Sequence, residues 1–300
     1  MDGLIVIDKP QGPTSFNLVH RVRGAIRQLT GERKPKVGHV GTLDPFATGV
    51  LPLCVGRATR LARFLIEGDK RYRATLRLGQ TTTTEDTEGE VVQTCDWQGL
   101  EEEVVRATIE GLVGDHLQRP PIYSAIRVNG KRAYDLARAG KTPEMTPRPV
   151  TLFSVKVDAI ALPDVVFTVH ASKGTYIRSI CRDVGEALGV GGHCLALRRL
   201  EAAGFTEGES VAPEVILEAD LDGFKARLLS PSEMLRAMPA LTLDEALVRQ
   251  IRYGQKVWIP DGLAGEGAER VVKICDSDGE LVCVGTIDTS GLLHTELVLI

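Results

Sequence analysis

Two spacings of apolar residues alternate along this 300-residue chain and predict both strands and helices. Residues 4–7 and 50–55 are almost entirely apolar, as in buried strands. In KRYRATLRLG (70–79), Tyr72 and three aliphatic residues alternate with arginine and threonine, which is the period of a strand with one face in the core. Residues 165–170 are predicted as a further strand, and residues 195–200 lead into another at GFTEG (204–208).

Helical spacing predicts several helices between these strands. The apolar positions of three of them are Phe16, Val19, Val22 and Ile26; Ala58, Leu61, Ala62 and Leu65; and Ile177, Ile180, Cys181, Val184 and Leu188. A turn with a capping hydroxyl (GPTS, 12–15) precedes the first helix, and Gly189 ends the third. Residues 101–111 and 133–139 are predicted as shorter helices.

The pattern changes beyond about residue 235. The segment LDEALVRQIRYGQKVWI predicts a short helix. After it, VVKICDSDGELVCVGTID and TELVLI predict several strands, with 276–279 as a hairpin turn. This change to one short helix followed by several strands indicates a second, smaller domain.

Composition narrows the class of protein. A hydrophobic fraction of 43% over 300 residues allows a sizeable core, and no apolar run is long enough to cross a bilayer. The start MDGLIVIDKP lacks the basic region and long apolar run of a signal peptide, so a cytoplasmic protein is expected. Six scattered cysteines without a CxxC pair favour buried thiols over a zinc site or a disulfide framework.

Charge is segregated along the chain, although the net charge is only −4. Residues 1–84, 119–150 and 151–200 carry +8, +5 and +2, whereas 85–118 and 201–300 carry −9 and −10. Binding to a phosphate backbone requires a local cationic field, whatever the overall charge. The basic segments therefore indicate a nucleic-acid partner, although one such segment alone would be an ordinary solvated surface.

The segment GHVGTLDPFATG (38–49) follows neither period. Its glycines and Pro45 surround one carboxylate, Asp44, so an irregular loop presents that side chain. An Asp-Pro turn that merely reverses the chain is the ordinary alternative. The segment has no Gly-Lys-Ser/Thr to hold a phosphate and no second acid to hold magnesium. One carboxylate acting alone suggests a nucleophile.

Around this loop the chain resembles the bacterial tRNA pseudouridine synthases of the TruB type. The resembling segments are GLIVIDKPQGPTS (3–15), GHVGTLDPFATGVLP (38–52), KRYRATLRLGQTTTTEDTEG (70–89), RPPIYSAIRVNGKRAYDLAR (119–138), SKGTYIRSICRDVGEALG (172–189) and LRRLEAAGF (197–205). The resemblance implies isomerisation of uridine 55 in the T-stem loop of tRNA to pseudouridine. It implies no cofactor, no metal and no guide RNA.

The resemblance also implies three catalytic residues. Asp44 is the nucleophile or proton acceptor at the sugar, and Tyr72 lies against the target base. Arg178 pairs with Asp44, lowers its pKa and orients it through a bidentate contact. From the residues alone, Tyr72 would pass as core and Arg178 as a surface partner of Asp183.

Four further residues are implied to bind the substrate. His39 stacks on a loop nucleotide or helps to open the T loop, and Leu197 lies against the flipped base. Lys173 and Tyr176 line the pocket. Without the resemblance, His39 would be an incidental loop histidine and Leu197 ordinary core.

The expected fold is α+β, with a large catalytic domain (1–235) around a mixed, mainly antiparallel sheet flanked by helices. Within it, residues 119–150 form a thumb-like RNA-binding insertion, in which Arg127 replaces the family's usual lysine. Residues 236–300 resemble, more weakly, the small β-rich PUA domain that binds RNA. Residues 81–115 are assigned no chemistry, Lys9 is assigned a structural role, and a monomer is expected.

Two other functions stay open at this level. One is a tRNA-binding or tRNA-folding protein without catalysis, and the intact Asp44, Tyr72 and Arg178 speak against it. The other is a nucleoside hydrolase, because one carboxylate near C1′ could release the base. Two-carboxylate glycosidase chemistry would need a second placed acid, and no motif supplies one. Release of free uracil would identify the hydrolase.

Overall fold

A computed structural model describes residues 1–260 and 269–299 of the chain. Its strands are β1 (Gly3–Lys9), β2 (Val37–His39), β3 (Thr48–Val55), β4 (Lys70–Leu78), β5 (Gln80–Thr82), β6 (Val91–Thr94), β7 (Gly114–Gln118), β8 (Arg127–Val128), β9 (Lys131–Arg132), β10 (Arg148–Ala161), β11 (Asp164–Ala171), β12 (Gly192–Ala202), β13 (Phe205–Thr206), β14 (Ala240–Thr242), β15 (Val257–Trp258), β16 (Arg270–Cys275), β17 (Leu281–Ile287) and β18 (Leu292–Val298). Its α-helices are α1 (Ser15–Thr30), α2 (Ala62–Leu65), α3 (Glu102–Glu110), α4 (Ala133–Arg138), α5 (Ile177–Ala187), α6 (Pro213–Leu217), α7 (Leu221–Lys225), α8 (Pro231–Met234) and α9 (Glu245–Arg252). Short 3-10 helices span Gly56–Leu61 and Glu207–Glu209.

A large mixed sheet organises the first part of the chain. Its strand order is β1-β3-β12-β4-β11-β10-β7, with β2 paired to β3 and β13 paired to β12. The β12–β3 pair is parallel, and the neighbours along the rest of this path are antiparallel. The predicted mixed, mainly antiparallel sheet is therefore confirmed.

Strand β4 lies in the middle of this sheet, between β11 and β12. Its predicted alternation is present, because Ala74, Leu76 and Leu78 are buried while Arg71 and Arg73 are exposed. Tyr72 shares the buried face but is only half-buried, since it borders a cavity at that end of the strand. The buried face of β4 thus ends in one aromatic side chain, Tyr72, which lines the pocket.

Helix α1 begins and packs largely as its sequence predicts. Thr14 Oγ1 accepts a hydrogen bond from the backbone N–H of Asn17, and the Asn17 side chain in turn accepts from Thr14 N–H, which makes a capping box. Val19 and Val22 are buried against the sheet. The prediction is wrong for Phe16, which is 58% exposed, because burial at this end falls on Ser15.

Other predicted elements differ in detail. The helix predicted over 58–65 is a 3-10 turn followed by the short α2, although Ala58, Leu61 and Leu65 are buried as expected. The predicted helices near 101–111, 133–139 and 177–188 are present as α3, α4 and α5. The short helices α6, α7 and α8 were not predicted, because four or five residues are too few to show a helical period.

The C-terminal part forms a separate β-rich sheet in the order β14-β16-β17-β18-β15, and α9 packs against it. The hairpin turn is where the sequence predicts it, since Gly279 N–H donates to Asp276 O at 3.0 Å. Residues 261–268 and 300 of this predicted unit lie outside the described residues. Within the described part of the chain, no helix is long and apolar enough to span a membrane.

Candidate active site

The Asp44 loop, residues 40–47 between β2 and β3, is anchored by its own neighbours. Leu43, Phe46 and Ala47 are buried in the main core. Ser15 at the start of α1 fixes the backbone of Leu43, because its hydroxyl donates to Leu43 O and accepts from Leu43 N–H, each at 2.9 Å. Asp44 is therefore presented from a fixed loop although its backbone is irregular.

Lys9 holds the same loop from the end of β1. Its side chain is fully buried. The Nζ atom donates to the carbonyl oxygens of Pro10, Pro45 and Ala47 at 3.0, 3.0 and 2.6 Å. Burial lowers the pKa of Lys9 to about 8, and the negative charge of Asp44 opposes that shift. The structural role predicted for Lys9 is confirmed.

Arg199 is a third support of the loop, and the sequence analysis did not single it out. It is 1% exposed, and its guanidinium donates to Val50 O at 2.7 Å and Gly41 O at 3.1 Å. A Cβ at Gly49 would lie 2.2 Å from Arg199 O, and Gly49 has a φ of +102°, so this position requires glycine. The sequence spacing could have indicated this residue, because Arg199 lies two positions after Leu197 and therefore on the same face of strand β12.

Arg178 lies in the first turn of α5 and is 3% exposed. Its Nη2 is 2.9 Å from Asp44 Oδ2, and its Nη1 is 3.2 Å from Asp86 Oδ2. The predicted contact with Asp44 is therefore present. It differs from the expected bidentate contact, because the guanidinium is shared between two carboxylates. The alternative partner Asp183 instead pairs with Arg182 at 2.7 Å.

The electrostatic balance at Asp44 differs from the prediction. Loss of surrounding water raises the pKa of Asp44 above its ordinary value, Arg178 opposes this, and the nearby Asp86 carboxylate adds to it. The predicted effect of Arg178 on this pKa is present, because the guanidinium lowers it, but enclosure and the second carboxylate outweigh that effect and the net shift is upward. About a third of the Asp44 side chain, 36%, is still exposed, and it faces the cavity described below.

Asp86 belongs to the segment that the sequence analysis assigned no chemistry. It is 2% exposed and accepts hydrogen bonds from Glu88 N–H at 2.9 Å and from the Thr84 hydroxyl. The Thr84 carbonyl in turn accepts from Arg178 Nη1 at 2.9 Å. A polar, acidic stretch of this kind has the composition of a solvated loop, so burial of Asp86 was not predicted, although the residue lies in the TruB-like segment 70–89.

A cavity of about 770 Å³ brings most of the candidate residues together. Its lining includes Asp44, Tyr72, Lys173, Tyr176, Arg178 and Leu197, together with Ile66, Ile126 and Val150. Its volume falls in the range of small-ligand sites, and its walls combine apolar side chains with a few charged ones. Segments far apart in the sequence thus form one pocket, in which Asp44 lies beside the buried Arg178 guanidinium. A second lining carboxylate, Glu67, is paired with Lys173.

Comparison with known proteins finds related sequences along nearly the whole chain. Residues 27–177 match the TruB family pseudouridylate synthase N-terminal domain. Residues 178–236 match the tRNA pseudouridylate synthase B C-terminal domain, and 239–299 match the pseudouridine synthase II TruB C-terminal domain. The tRNA pseudouridine synthase B of Burkholderia mallei is 40% identical over 304 residues, covering 99% of this chain and 97% of its own. The chain belongs to the TruB family.

Other relatives agree with the TruB assignment. The tRNA pseudouridine synthase B of Syntrophotalea carbinolica is 44% identical over 254 residues, which cover 85% of this chain and 81% of that protein. Among solved structures, a chain in the crystal structure of a Cbf5-Nop10-Gar1 complex matches with a TM-score of 0.75 and 26% identity. That match covers 99% of this chain and 84% of the other. The resemblance inferred from the motifs is confirmed.

Two of the candidate TruB substrate-binding residues sit at the edge of the pocket. Lys173 forms an ion pair with Glu67, and both side chains are more than half exposed. Tyr176 precedes α5, and its backbone is fixed by Gln118, whose amide accepts from Tyr176 N–H at 2.8 Å and donates to Tyr176 O at 3.1 Å. Burial raises the pKa of the Tyr176 phenol.

His39 lies apart from the other candidates. It ends β2, and it is not among the described residues that line the cavity. Its Nδ1 is buried and has no hydrogen-bond partner within residues 1–260 and 269–299. Burial lowers the pKa of His39, and the nearby Arg199 charge lowers it further, so the neutral ring is favoured.

Proposed function

We propose that this TruB family enzyme isomerises uridine 55 in the T arm of tRNA to pseudouridine, with Asp44 as the reacting carboxylate. The family assignment makes it a pseudouridine synthase, and relatives that align with nearly all of the chain are tRNA pseudouridine synthases. The observation that carries the proposal is the cavity in which Asp44, 2.9 Å from Arg178, faces Tyr72 and Leu197.

The reaction breaks the C1′–N1 bond, turns the uracil and joins C5 to C1′, and the C5 proton is lost. Asp44 either forms a bond to C1′ as N1 leaves with the electron pair, or takes the C2′ proton to start that departure. In the first case the bond to Asp44 breaks when C5 joins C1′, and in the second a proton returns to C2′ as C5 joins C1′. In both cases Asp44 must be ionised. Arg178 stabilises that form and fixes its orientation, while Lys9 and Arg199 fix the loop.

A base inside a stack has to be turned out before it can reach this pocket. The irregular T loop lowers the cost of that step relative to a duplex. Tyr72 and Leu197 offer an aromatic and an aliphatic wall for a planar base. Ser124, Ala125 and Ile126 also line the cavity, which supports the assignment of residues 119–150 as a thumb that closes over the RNA.

The rest of the proposal concerns the whole molecule. We assign residues 1–235 to catalysis and 236–300 to a PUA-like RNA-binding domain. The enzyme would act in the cytoplasm as a monomer, without guide RNA, cofactor or metal. A hydrolase with two carboxylates has little support. Asp86 is paired with Arg178 and is not among the described residues that line the cavity, and Glu67, which does line it, is paired with Lys173.

Tritium release tests this function directly. Unmodified tRNA transcript labelled at uridine C5 is incubated with the protein, and the product is mapped for pseudouridine. We expect stoichiometric tritium release and pseudouridine at position 55 alone. A transcript with cytidine at position 55 is the control and should yield none. Free uracil would indicate a hydrolase, and binding without release would indicate a tRNA-binding protein.

The pH dependence of the reaction provides a second test. Because ionised Asp44 is required, activity is lost as pH falls through its pKa, which enclosure and Asp86 raise above the ordinary value. Replacing Asp86 by asparagine removes the negative charge that raises this pKa. We therefore expect Asp86→Asn to move the acidic limb of kcat/KM to lower pH.

The matched control for this shift is Asp164→Asn. This substitution also removes a carboxylate that is paired with an arginine, here Arg77. This pair lies at the end of β4 and β11 away from Tyr72, so the limb should stay in place. An acidic limb that is identical in wild type and Asp86→Asn would contradict the role given to Asp44.

A further inference from the structure

A second cavity, of about 600 Å³, lies between α1 and the chain that leads into β2. Its charged lining comes from Arg23 and Arg27 on α1 and from Arg33, Lys34 and Lys36 opposite them; with Gly24, these residues are called the basic groove. Arg23 Nη2 donates to Val37 O at 2.8 Å and ties the two walls together. No residue of this cavity lines the Asp44 pocket.

The cations of the basic groove are not neutralised within the molecule. Among residues 1–260 and 269–299, no carboxylate lies within 4.0 Å of their side-chain nitrogens. Arginines just outside the groove behave differently, because Arg21 pairs with Glu214 at 3.6 Å and Arg57 pairs with Asp2 at 2.8 Å. Like charges gathered in one concave surface create a field that attracts a polyanion.

Gly24 is an independent sign that the groove is kept open. It lies in the middle of α1, where glycine weakens a helix relative to alanine. A Cβ at Gly24 would meet no atom within 4 Å, so no packing contact requires glycine there. The missing side chain instead leaves the floor of the groove free between Arg23 and Arg27, which are one helical turn apart.

The groove is rigidly linked to the active-site loop. Helix α1 starts at Ser15, which binds Leu43 of that loop, and Arg27 lies twelve residues further along the helix, roughly 18 Å away. On the other wall, Lys36 continues through β2 into the same loop. Both walls of the basic groove are therefore joined directly to the loop that carries Asp44.

We propose that the basic groove binds the phosphate backbone of the tRNA substrate, away from the nucleotide that enters the Asp44 cavity. Five cations spread over about 600 Å³ exceed what a single phosphate needs and suit several successive phosphates. The inference rests on the proposed function only in taking tRNA as the substrate. It adds a second contact surface, which strengthens binding of whole tRNA through its backbone.

A pair of isosteric substitutions tests the groove. Gly24→Glu and Gly24→Gln add side chains of the same length, and both replace glycine by a better helix former, so both should fold. The Kd for unmodified tRNA transcript is measured with the full chain between about 50 and 200 mM salt. We expect Gly24→Glu to bind about tenfold more weakly than Gly24→Gln, with a salt slope smaller by about one. Equal Kd values and slopes would overturn the proposal.

A charge-removal pair provides the complementary test. Arg27→Gln combined with Lys34→Gln should weaken tRNA binding and reduce the salt slope by about two. The control, Lys225→Gln with Arg227→Gln, removes the same two charge types from an exposed surface and should bind like wild type. Equal effects of the two pairs would mean that net charge, not the groove, governs binding.

Failure of the groove can be told from failure of the proposed function. Binding is measured on transcript with cytidine at position 55, which the enzyme cannot isomerise. If wild type releases no tritium from the uridine transcript, the catalytic proposal fails, and the two substitution pairs still decide the groove. If release is normal and both pairs bind alike, only the groove proposal fails.

Discussion

Asp44→Asn should abolish tritium release from C5-labelled tRNA while leaving tRNA binding intact. The amide has the shape of the carboxylate but lacks its charge, so it neither attacks C1′ nor accepts a proton. The loop that presents it is fixed by Lys9, Ser15 and Arg199 and should not move. Loss of the carboxylate that we propose acts on the sugar is expected to reduce kcat at least about a thousandfold.

The measurement compares single-turnover tritium release with filter-binding Kd for the same tRNA. Asp44→Ala is the second variant. It should be as inactive as Asp44→Asn, because the reaction requires the negative charge and both variants lack it. Asp96→Asn is the control, because this exposed residue accepts from Gln98 N–H at 2.9 Å and an asparagine can do the same. Substantial activity in both Asp44 variants would assign the nucleophile to another residue.

Arg178→Met should lower both the stability and the activity of the enzyme. The substitution removes the cation between Asp44 and Asp86 and leaves Thr84 O and Tyr123 O without their donor. A buried carboxylate that loses its partner typically destabilises a protein by about 3 kcal/mol. The pKa of Asp44 should rise further, so less of it is ionised, and activity should fall at least about a hundredfold.

Urea unfolding and tritium release, measured on the same preparations, separate the two effects. Arg178→Lys keeps one positive charge but cannot reach both carboxylates, and it should be more stable than Arg178→Met yet still impaired. Adding Asp86→Asn to Arg178→Met should recover part of the stability, since one uncompensated charge is gone, and part of the activity, since the charge that raises the pKa of Asp44 is gone as well. Unchanged stability in Arg178→Met would refute the ion-pair account.

Local patterns predicted most of the fold. The alternation in β4, the capping box before α1 and the hairpin turn at 276–279 each depend on residues close in sequence, so period and turn chemistry suffice to predict them. The Asp44 loop was also visible, because its glycines and proline break both periods around one carboxylate. Helices of four or five residues were not predicted, because they are too short for their apolar residues to show a helical period.

The family resemblance named the candidate residues, and the structure shows which of them lie together. In the structure, one cavity is lined by Asp44, Tyr72, Arg178 and Leu197, and His39 is not among its described lining residues. That His39 contacts the T loop stays a prediction. The basic groove was hidden for a similar reason, since charges on α1 and on residues 33–36 show their common surface only in three dimensions.

The sequence by itself determined the elements, the presenting loop and the family. Only the tertiary structure decided that Asp86 and Arg199 support the site and that enclosure and Asp86 raise the pKa of Asp44 by more than Arg178 lowers it. The physical reason is that burial and charge pairing depend on neighbours in space. Arg178 and Thr84, which are hydrogen-bonded, are 94 positions apart in the sequence. The sequence of an acidic segment is the same whether its side chains are solvated or buried against an arginine.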